Sequence, residues 1–398
     1  MSILSLVPLR LDRDSRSLKI ATSFVRMGFH SRVIELKKSN PASHPKDVEV
    51  DTLWPGKRMH EINNTAAKMP NQVSEVIHFC RFIVLYFIVM PIQAFFIPVQ
   101  RVKLYYLHEY RLFPLVKVLQ IRNPAPIIYD AHDFYTRILS DAECSWFWRH
   151  FFTPVIRLMD QCCTRYSDHV VTTSDGYAQL FQDAYGVTPT ITYNAHEERL
   201  DTTVTKSIKS LIGLDHTSRL IVVTGHYKTG AAINALLYAM IGLPSHIHLA
   251  FVGRGYETIT DQIITRGLQN RCHLMGPCLP YEIVPFISEA DLAAVIYFPM
   301  TDNYNHSLPN GLFQSVAAKL PIALSNTSAI MNFGLSGHAY EYMDTLSSDS
   351  IREALLKLLS AIDNKDELNV DLALNAKNFS WRTEEDKLTS LVLSLIEK

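Results

Sequence analysis

Lys228 has a sequence context that suggests anion binding. It lies in Val-Val-Thr-Gly-His-Tyr-Lys-Thr-Gly, residues 222–230, which follows an apolar strand-like run and precedes a helix-like segment. A helix N-terminus favours an anion because its free amides and its dipole point at the ligand. We interpret Lys228 as a phosphate ligand, with a solvated loop lysine as the alternative. Gly225 allows the tight backbone that such a loop needs, and His226 lies between the two.

A second glycine loop has the sequence Phe-Val-Gly-Arg-Gly, residues 251–255. It is only part of the Gly-x-Gly-x-x-Gly pattern, and no acidic ribose ligand stands out about twenty residues later. A nicotinamide-dinucleotide site is therefore weakly indicated. Gly253 and Arg254 fit a ligand loop and a plain tight turn equally well.

The most informative stretch runs from Tyr304 to Ala323. Its polar loop contains Asn310 and Gly311 and enters a short amphipathic helix, which again offers an anion site. Gln314 lies one turn into that helix. Its side-chain amide can hydrogen-bond a ligand hydroxyl.

In the first half of the chain, an apolar strand over residues 127–133 ends with Asp130, His132 and Asp133. A polar cluster at a strand end costs stability unless its members are paired or functional. His108 ends the preceding strand in the same way. The alternative is that Asp130 caps the next element and that His132 is a satisfied core histidine.

The elements that must position these residues alternate between strands and helices. The alternation runs from residue 1 to about 195 and restarts over residues 220–324, which is typical of parallel, doubly wound sheets. Residues 195–217 form a polar connection, and residues 38–75 are expected to be a loop or an insertion. Open sheets of this kind bind ligands beyond the carboxyl ends of their strands. The polar residues described above follow strands, as that rule requires.

Composition limits the classes of function. The chain has 398 residues, 38 basic and 39 acidic, so its net charge is −1, and 47% of its residues are hydrophobic. This excludes a disordered chain and argues against a nucleic-acid partner held by bulk charge. The length suggests two domains. Six cysteines without a Cys-x-x-Cys pair indicate reduced thiols, and the N-terminus lacks the order of a secretory signal, so we expect a cytoplasmic protein.

Residues 82–100 carry no charge between Arg81 and Arg101. Nineteen helical residues would extend about 28 Å, close to the thickness of a bilayer core. Pro91 and Pro98 oppose a membrane span, so we favour a buried core helix with a membrane-facing side. A span and a membrane-dipping surface helix are the alternatives. The aromatic and basic residues 146–152 would dock at the same membrane, since Trp favours interfaces.

In their order along the chain, the motifs resemble those of the retaining nucleotide-sugar glycosyltransferases of the GT-B fold, in the group called family 4. No single motif decides the resemblance, which rests on the ordered set and covers nearly the whole chain. The segments that carry it are residues 14–29, Tyr-Asp-Ala-His-Asp at 129–133, 167–177, Tyr-Asn-Ala at 193–195, 251–255, 273–277, Ser-Leu-Pro-Asn-Gly-Leu-Phe-Gln at 307–314 with its continuation to Pro321, and Phe-Ser-Trp at 379–381.

The resemblance implies an α/β protein with two Rossmann-like, doubly wound domains that face each other across a cleft. It implies an acceptor-side domain over residues 1–198 and a donor-side domain over residues 199–376. A crossover helix over residues 377–398 is expected to pack back on the first domain.

The resemblance also assigns site residues. It implies catalysis by His132 and Lys228, with no metal and no cofactor beyond a nucleotide diphosphate sugar as co-substrate. Arg16, His108 and Asp133 are expected on the acceptor side. The expected donor-binding residues are Gly225, His226, Gly253, Arg254, Met275, Tyr281, His306, Leu308, Pro309, Asn310, Gly311 and Gln314.

The implied reaction is glycosyl transfer with retention to a glycan or lipid-linked saccharide, in cell-surface polysaccharide biosynthesis and with peripheral contact at the cytoplasmic face of the membrane. The group commonly has two glutamates where this chain has His306 and Gln314. Gln314 keeps an acceptor for ribose hydroxyls but lacks the carboxylate charge. A nucleotide-sugar epimerase and a non-catalytic sugar-nucleotide-binding partner subunit are the alternative functions. An oxidoreductase is a more distant alternative.

Overall fold

The computed structural model describes residues 1–53, 72–137, 145–197, 207–228, 230–362 and 365–397. The chain divides into two compact units. Unit 1 comprises Met1–Thr192 with Glu385–Lys398, and unit 2 comprises Tyr193–Glu384. The expected domain boundary between residues 198 and 199 lies outside the described residues.

Unit 1 contains a seven-stranded sheet in the order β3-β2-β1-β4-β5-β6-β7, with every pair parallel. All six residues of its first strand are buried, as expected where helices cover both faces of a parallel sheet. The strands are β1 (Ser2–Val7), β2 (His30–Glu35), β3 (Val48–Thr52), β4 (Val102–Leu107), β5 (Ile127–Ala131), β6 (His169–Thr172) and β7 (Thr190–Ile191).

Helices of unit 1 connect these strands. The first begins where the Asp14 carboxylate accepts hydrogen bonds from the backbone N–H groups of Arg16 and Ser17, the usual role of an N-cap. The helices are α1 (Ser15–Arg26), α2 (Gln72–Val84), α3 (Met90–Ala94), α4 (Phe113–Arg122), α5 (Thr153–Tyr166) and α6 (Asp175–Tyr185), with π-helical turns at Leu85–Val89 and Trp148–Phe152.

Unit 2 repeats the architecture with a six-stranded sheet in the order β10-β9-β8-β11-β12-β13, again with parallel pairs. The order reverses between β8 and β11, and such a switch point is where open sheets bind ligands. The strands are β8 (Arg219–Thr224), β9 (Ile247–Val252), β10 (Cys272–Met275), β11 (Leu292–Val295), β12 (Ile322–Ser325) and β13 (Tyr340–Met343).

The helices of unit 2 include short single-turn segments as well as long amphipathic ones. The last helix starts at Trp381, in unit 2. From Glu385 onward its residues belong to unit 1. The helices are α7 (Ile208–Ile212), α8 (Ile233–Ile241), α9 (Thr260–Thr265), α10 (Ile283–Ile287), α11 (Asp302–His306), α12 (Asn310–Ala317), α13 (Ser328–Met331), α14 (Ser348–Ala361), α15 (Lys365–Asn378) and α16 (Trp381–Ile396).

Two parallel, doubly wound sheets confirm the predicted α/β class with two Rossmann-like sheets. The interpretation of residues 38–75 as a loop or insertion was wrong over Val48–Thr52, which forms the edge strand β3. Its sequence, Val-Glu-Val-Asp-Thr, has no continuous apolar run because an edge strand is only partly covered. Residues 54–71 of that segment lie outside the described residues.

The apolar run 82–100 forms two helices joined by a π-helical turn over Leu85–Val89. Pro91 has no N–H, and its ring would clash with the carbonyl of the preceding turn. The wider turn directly before it accommodates the ring. Over the continuous helical stretch Ser74–Ala94, the length and apolar composition would suffice to cross a membrane, although a third (33%) of the window is buried in the protein.

Candidate functional site

In unit 2, the loops after β8 and β9 are joined backbone to backbone. The Gly225 N–H donates to the carbonyl of Val252 (3.0 Å), and the Tyr227 N–H donates to that of Arg254 (2.8 Å). The Arg254 N–H in turn donates to Nδ1 of His226 (3.3 Å). These bonds hold the two predicted glycine loops together at the carboxyl edge of the sheet.

Glycine is required where the loops approach most closely. A Cβ on Gly253 would overlap the carbonyl oxygen of Gly225. Gly225 itself has a φ of 113°, a conformation that L-residues rarely adopt. The pair therefore forms a floor of bare backbone, which is the arrangement that lets a ligand lie directly against main-chain atoms.

The N-terminus of α12 adjoins this floor. A Cβ on Gly311 would lie 3.0 Å from both the carbonyl oxygen and Oγ1 of Thr224, so the glycine lets the helix start against the end of β8. The first amides of an α-helix have no partner within the helix. Together with the helix dipole they make this end of α12 suited to an anion.

Two buried side-chain oxygens at the end of β8 and in the first turns of α12 have no hydrogen-bond partner among the described residues. They are Oγ1 of Thr224 and Oε1 of Gln314. An unpaired buried polar atom costs stability, typically about 1–3 kcal/mol. A ligand with hydroxyl groups would satisfy both atoms. We call the Gly225–Gly253 floor, the start of α12 and these two acceptors the unit 2 cradle.

The predicted phosphate ligand Lys228 is exposed and lies in the loop after β8, five residues before α8. It is close enough to His226 to affect its ionisation: partial burial, and then the Lys228 ammonium, lower the pKa of the His226 ring. His226 is therefore expected to be neutral near pH 7, whereas Lys228 provides a positive charge beside the cradle.

The other predicted donor residues surround the cradle to different degrees. The Met275 carbonyl accepts from the Gly253 N–H (3.3 Å), and the Asn310 side chain accepts from that of Asn194 (2.6 Å). Pro309 is the N-cap residue of α12, directly after the buried Leu308. Tyr281 and His306 are half-buried on other elements, the segment after β10 and the last residue of α11 respectively.

In unit 1, Asp130 at the end of β5 is the centre of a buried polar cluster. Arg16 donates to it in a fork, from Nε to Oδ2 (2.8 Å) and from Nη2 to Oδ1 (2.8 Å), and Nη1 donates to the carbonyl of Thr192 (2.7 Å). Tyr106 Oη also donates to Oδ2 (3.0 Å). Burial would raise the pKa of Asp130, but Arg16 and then His132 outweigh it, so the pKa lies far below its ordinary value.

His132 and His108 both lie beside this carboxylate, but their pKa values shift in opposite directions. Burial opposes protonation of His132, yet Asp130, 3.3 Å from its Nε2, raises the pKa of His132 above its ordinary value. Burial lowers the pKa of His108 to about 3, so this ring is neutral. Its Nδ1 lies 3.3 Å from Nε2 of His132 and 3.2 Å from Oγ of Ser17.

Burial changes the roles of two predicted acceptor-side residues. Arg16 is 2% exposed and His108 is fully buried. Neither can contact a saccharide in this structure, so we reassign both as positioning residues. His132 is partly exposed, and Asp133 is half-buried with its carboxylate bonded by the Tyr177 hydroxyl (3.2 Å). Sequence reasoning weighed Asp130 only as part of a cluster and did not place it at the centre.

A cation is a possible ligand of the unit 1 cluster, because donor atoms of His108, Asp130 and His132 lie within 4.8 Å of one another. Arg16 already bonds both carboxylate oxygens of Asp130, however, and its charge would repel a metal ion. Asp12 and Asp14 have the Asp-x-Asp spacing, but Asp12 is paired with Arg10 (2.6 Å) and Asp14 caps α1. The cluster fits a hydrogen-bonded relay better than a metal site.

Comparison with known proteins relates this architecture to sugar-transferring enzymes. By sequence, the chain matches no protein-family profile and no curated protein. By structure, it is similar over 100% of both chains to a sucrose-phosphate synthase from Thermosynechococcus elongatus (TM-score 0.74, 12% identity). It is also similar to HepE of Anabaena in complex with UDP-glucose (TM-score 0.67, 16% identity, 99% of this chain and 100% of that one).

A third similar structure is a UDP-forming α,α-trehalose-phosphate synthase from Burkholderia vietnamiensis (TM-score 0.70, 10% identity, 99% of this chain and 100% of that one). The chain has the GT-B fold. At these identities the likeness establishes the fold alone. In GT-B terms, the unit 2 cradle lies at the carboxyl edge of the second Rossmann-like sheet, and the Asp130 cluster lies at that of the first.

Proposed function

We propose that the protein transfers a glycosyl group from a nucleoside diphosphate sugar to a saccharide acceptor, with retention at the anomeric carbon. The observation that carries this proposal is the unit 2 cradle, where a glycine floor, a helix N-terminus and two unpartnered buried acceptors meet. A diphosphate suits the amides at the start of α12, and ribose or sugar hydroxyls suit Gln314 and Thr224. The structures similar to this chain that are solved with UDP and UDP-glucose support the same ligand class.

The chemistry follows from the leaving group. The bond from the anomeric carbon to the β-phosphate oxygen breaks, and its electron pair stays on the diphosphate. The acceptor hydroxyl forms the new bond on the same face and passes its proton to the departing phosphate. Lys228 and the amides at the start of α12 stabilise the developing negative charge. No enzyme nucleophile is needed. The protein's own residues lower the barrier by stabilising the negative charge on the departing diphosphate.

His132 is the proposed catalytic residue of unit 1. Of the two histidines in the cluster it is the exposed one, and Asp130 favours its protonated form. A protonated imidazole can donate a hydrogen bond to a hydroxyl of the sugar or the acceptor. Arg16, Tyr106 and His108 hold the Asp130 carboxylate and through it the imidazole.

The acceptor is proposed to be a lipid-linked saccharide handled at the cytoplasmic face of a membrane, in the assembly of a cell-surface polysaccharide. The exposed apolar side of the α2–α3 segment supports this assignment.

A thermal-shift screen with UDP-, GDP- and dTDP-sugars tests the donor assignment. A ligand that binds only the folded state raises the Tm, and we expect one nucleotide class to do so. Nucleoside diphosphate released only with a saccharide acceptor would then establish transfer. Conversion of the donor without an acceptor would indicate an epimerase. If none of the nucleotide sugars raises the Tm of the protein, the result would contradict the donor site.

Lys228→Ala is expected to lower kcat about 10²-fold, because the loss of one group aimed at developing charge typically has that effect. The fold should be unaffected since Lys228 is exposed. Lys377→Ala removes another exposed lysine, near the end of α15, and serves as the control. Steady-state kinetics compare the turnover of the two variants, and equal Tm values show that both are folded. Near-normal turnover of Lys228→Ala would remove Lys228 from the mechanism.

Gln314→Glu is expected to tighten donor binding about fivefold. A carboxylate accepts a stronger hydrogen bond from a ribose hydroxyl than an amide does, by roughly 1 kcal/mol. Titration calorimetry with the nucleotide identified in the screen measures the gain. Gln262→Glu, also a half-buried glutamine of unit 2 with an unpartnered Oε1, is the matched control and should bind as the wild type does. Unchanged or weaker binding in Gln314→Glu would place the ribose elsewhere.

A further inference from the structure

Apart from Cys80 and Arg81, the exposed residues of the helical stretch Ser74–Ala94 are apolar. Ile77, Val84, Ile88 and Ile92 are exposed at helical spacing, which puts them on one face. The opposite side of the same segment, with Phe82, Tyr86, Met90 and Ala94, is buried in the core of unit 1. Monomeric proteins rarely expose so extended an apolar surface unless it binds something.

Aromatic side chains extend this surface at both ends. Phe95 and Phe96 follow α3 and are 62% and 82% exposed. Near α2, the Phe79 ring lies 6.1 Å from that of Phe151, which is exposed together with Trp146. We define the apolar face as the exposed residues Ile77, Val84, Phe87, Ile88, Ile92, Phe95, Phe96, Trp146 and Phe151.

The exposed charges on the described segments that form the apolar face have one sign, and the nearby acidic residues Glu49 and Asp51 are paired with Arg32, which bonds the carbonyl of Pro98. The sequence has no Asp or Glu between Glu75 and Glu109, and none between Glu109 and Asp130. Glu109 itself is buried and paired with Arg111. The exposed charged residues of these segments and of residues 145–159 are basic: Arg81, Arg101, Lys103, Arg122, Arg149 and Arg157.

One of these basic groups is fixed at the aromatic end of the apolar face. Arg122 donates from Nη1 to the carbonyl of Ile97 (2.8 Å) and also bonds that of Ala94. Its guanidinium is thereby held where α3 ends and the exposed pair Phe95 and Phe96 begins. Apolar side chains rimmed by cations match a surface of acyl chains beneath anionic headgroups.

We propose that the apolar face and its basic rim bind the surface of an anionic lipid bilayer, with the α2–α3 segment lying in the plane of the interface. A membrane span is disfavoured because the segment fills the core of unit 1 on one side and leads into β4, which pairs with β1 inside the sheet. An interfacial helix buries only one face in lipid. Lipid binding needs neither donor nor acceptor, so this inference goes beyond the proposed transfer and can be tested without it.

Co-sedimentation of the full chain with vesicles tests the proposal. One vesicle preparation is phosphatidylcholine alone, and the other contains one quarter phosphatidylglycerol. We expect at least roughly tenfold stronger partition to the anionic vesicles, weakening as salt is added. Phe95→Glu with Phe96→Glu should reduce partition by a further factor of about ten, since it replaces apolar contact with like charge.

A double variant in unit 2 controls for net charge. Ile264→Glu with Leu346→Glu makes the same charge change at residues that are 57% and 74% exposed. It should bind vesicles as the wild type does. Equal loss of binding in both double variants would overturn the assigned surface, because only bulk charge would then matter. Circular dichroism melting confirms that each variant is folded.

Two further outcomes would also overturn the proposal. A chain that stays soluble only in detergent and resists carbonate extraction from membranes would have a spanning segment instead. A dimer in light scattering that Phe95→Glu with Phe96→Glu dissociates, without vesicle binding by the wild type, would assign the apolar face to a second copy. The donor thermal shift is scored on the same preparations, so a failure of lipid binding is distinguished from a failure of the proposed transfer.

Discussion

Gly253→Ala is expected to weaken binding of the nucleotide sugar on the order of 10³-fold, about 4 kcal/mol. The new methyl group would overlap the carbonyl oxygen of Gly225 and lie 2.7 Å from its carbonyl carbon. Both are backbone atoms of a loop that is held by hydrogen bonds. Neither this loop nor that of Gly253 can yield without breaking the bonds from Gly225 to Val252 or from Gly253 to Met275. The floor of the unit 2 cradle must therefore shift by over an ångström, and a misplacement of that size already costs about 10²-fold in a preorganised site.

Titration calorimetry with the nucleotide found in the thermal-shift screen measures this loss. Gly276→Ala is the matched control because it follows the neighbouring strand β10 and a methyl group there meets nothing within 4 Å. We expect the control to bind as the wild type does. If Gly253→Ala folds, as judged by its Tm, and binds the nucleotide normally, then the cradle is not the donor site and the proposed function loses its main support.

The donor-side loops were accessible to sequence reasoning because their signal is local. Gly225, Gly253 and Gly311 each follow an apolar run or open a helix, so their backbone role could be predicted one loop at a time. What could not be predicted is that a Cβ on one glycine would strike the carbonyl of another, 28 residues away. That contact depends on the register of β8 against β9, which a single sequence does not specify.

The unit 1 cluster was less accessible for a related reason. Asp130 and His132 are two residues apart in sequence, but Arg16 is 114 residues from Asp130, and no local pattern pairs them. Arg16 and His108 were expected on the acceptor side from the resemblance, and His108 also because it ends a strand. Burial reverses that expectation. Strand β3 was missed because a partly covered edge strand lacks the apolar run by which buried strands are recognised.

Arg16→Ala is expected to destabilise unit 1 by about 3–5 kcal/mol, because it leaves the buried Asp130 carboxylate without its charged partner. Arg26→Ala is the matched control. Arg26 lies on the same helix and is paired with Glu385 (2.7 Å), but its side chain is 41% exposed. Exposed ion pairs contribute only about 0–1 kcal/mol. The two substitutions therefore compare the same residue type on one element at two depths.

Hydrogen exchange by mass spectrometry is the appropriate measurement because two units need not unfold together. Peptides covering β1 and β5 should exchange about 10²- to 10³-fold faster in Arg16→Ala and nearly normally in Arg26→Ala. Arg16→Met with Asp130→Leu removes both charges, so it should recover much of the loss. A double variant as unstable as Arg16→Ala would show that shape, not the unpaired charge, limits stability.

The sign of the pH dependence gives an independent check on the same ion pair. Arg16 keeps the pKa of Asp130 in the folded protein below its value in the unfolded chain, although burial opposes this. Such a group contributes stability that is present above the unfolded pKa, near 4, and is lost as the pH falls through the folded value. In wild type, unit 1 should therefore lose protection as the pH falls from about 5. In Arg16→Ala that loss should flatten or reverse, since burial then favours the protonated carboxyl and acid helps the fold. If Arg16→Ala loses protection at low pH just as the wild type does, the Arg16–Asp130 pair does not determine the acid stability of unit 1. That conclusion would hold whatever the substitution costs near neutral pH.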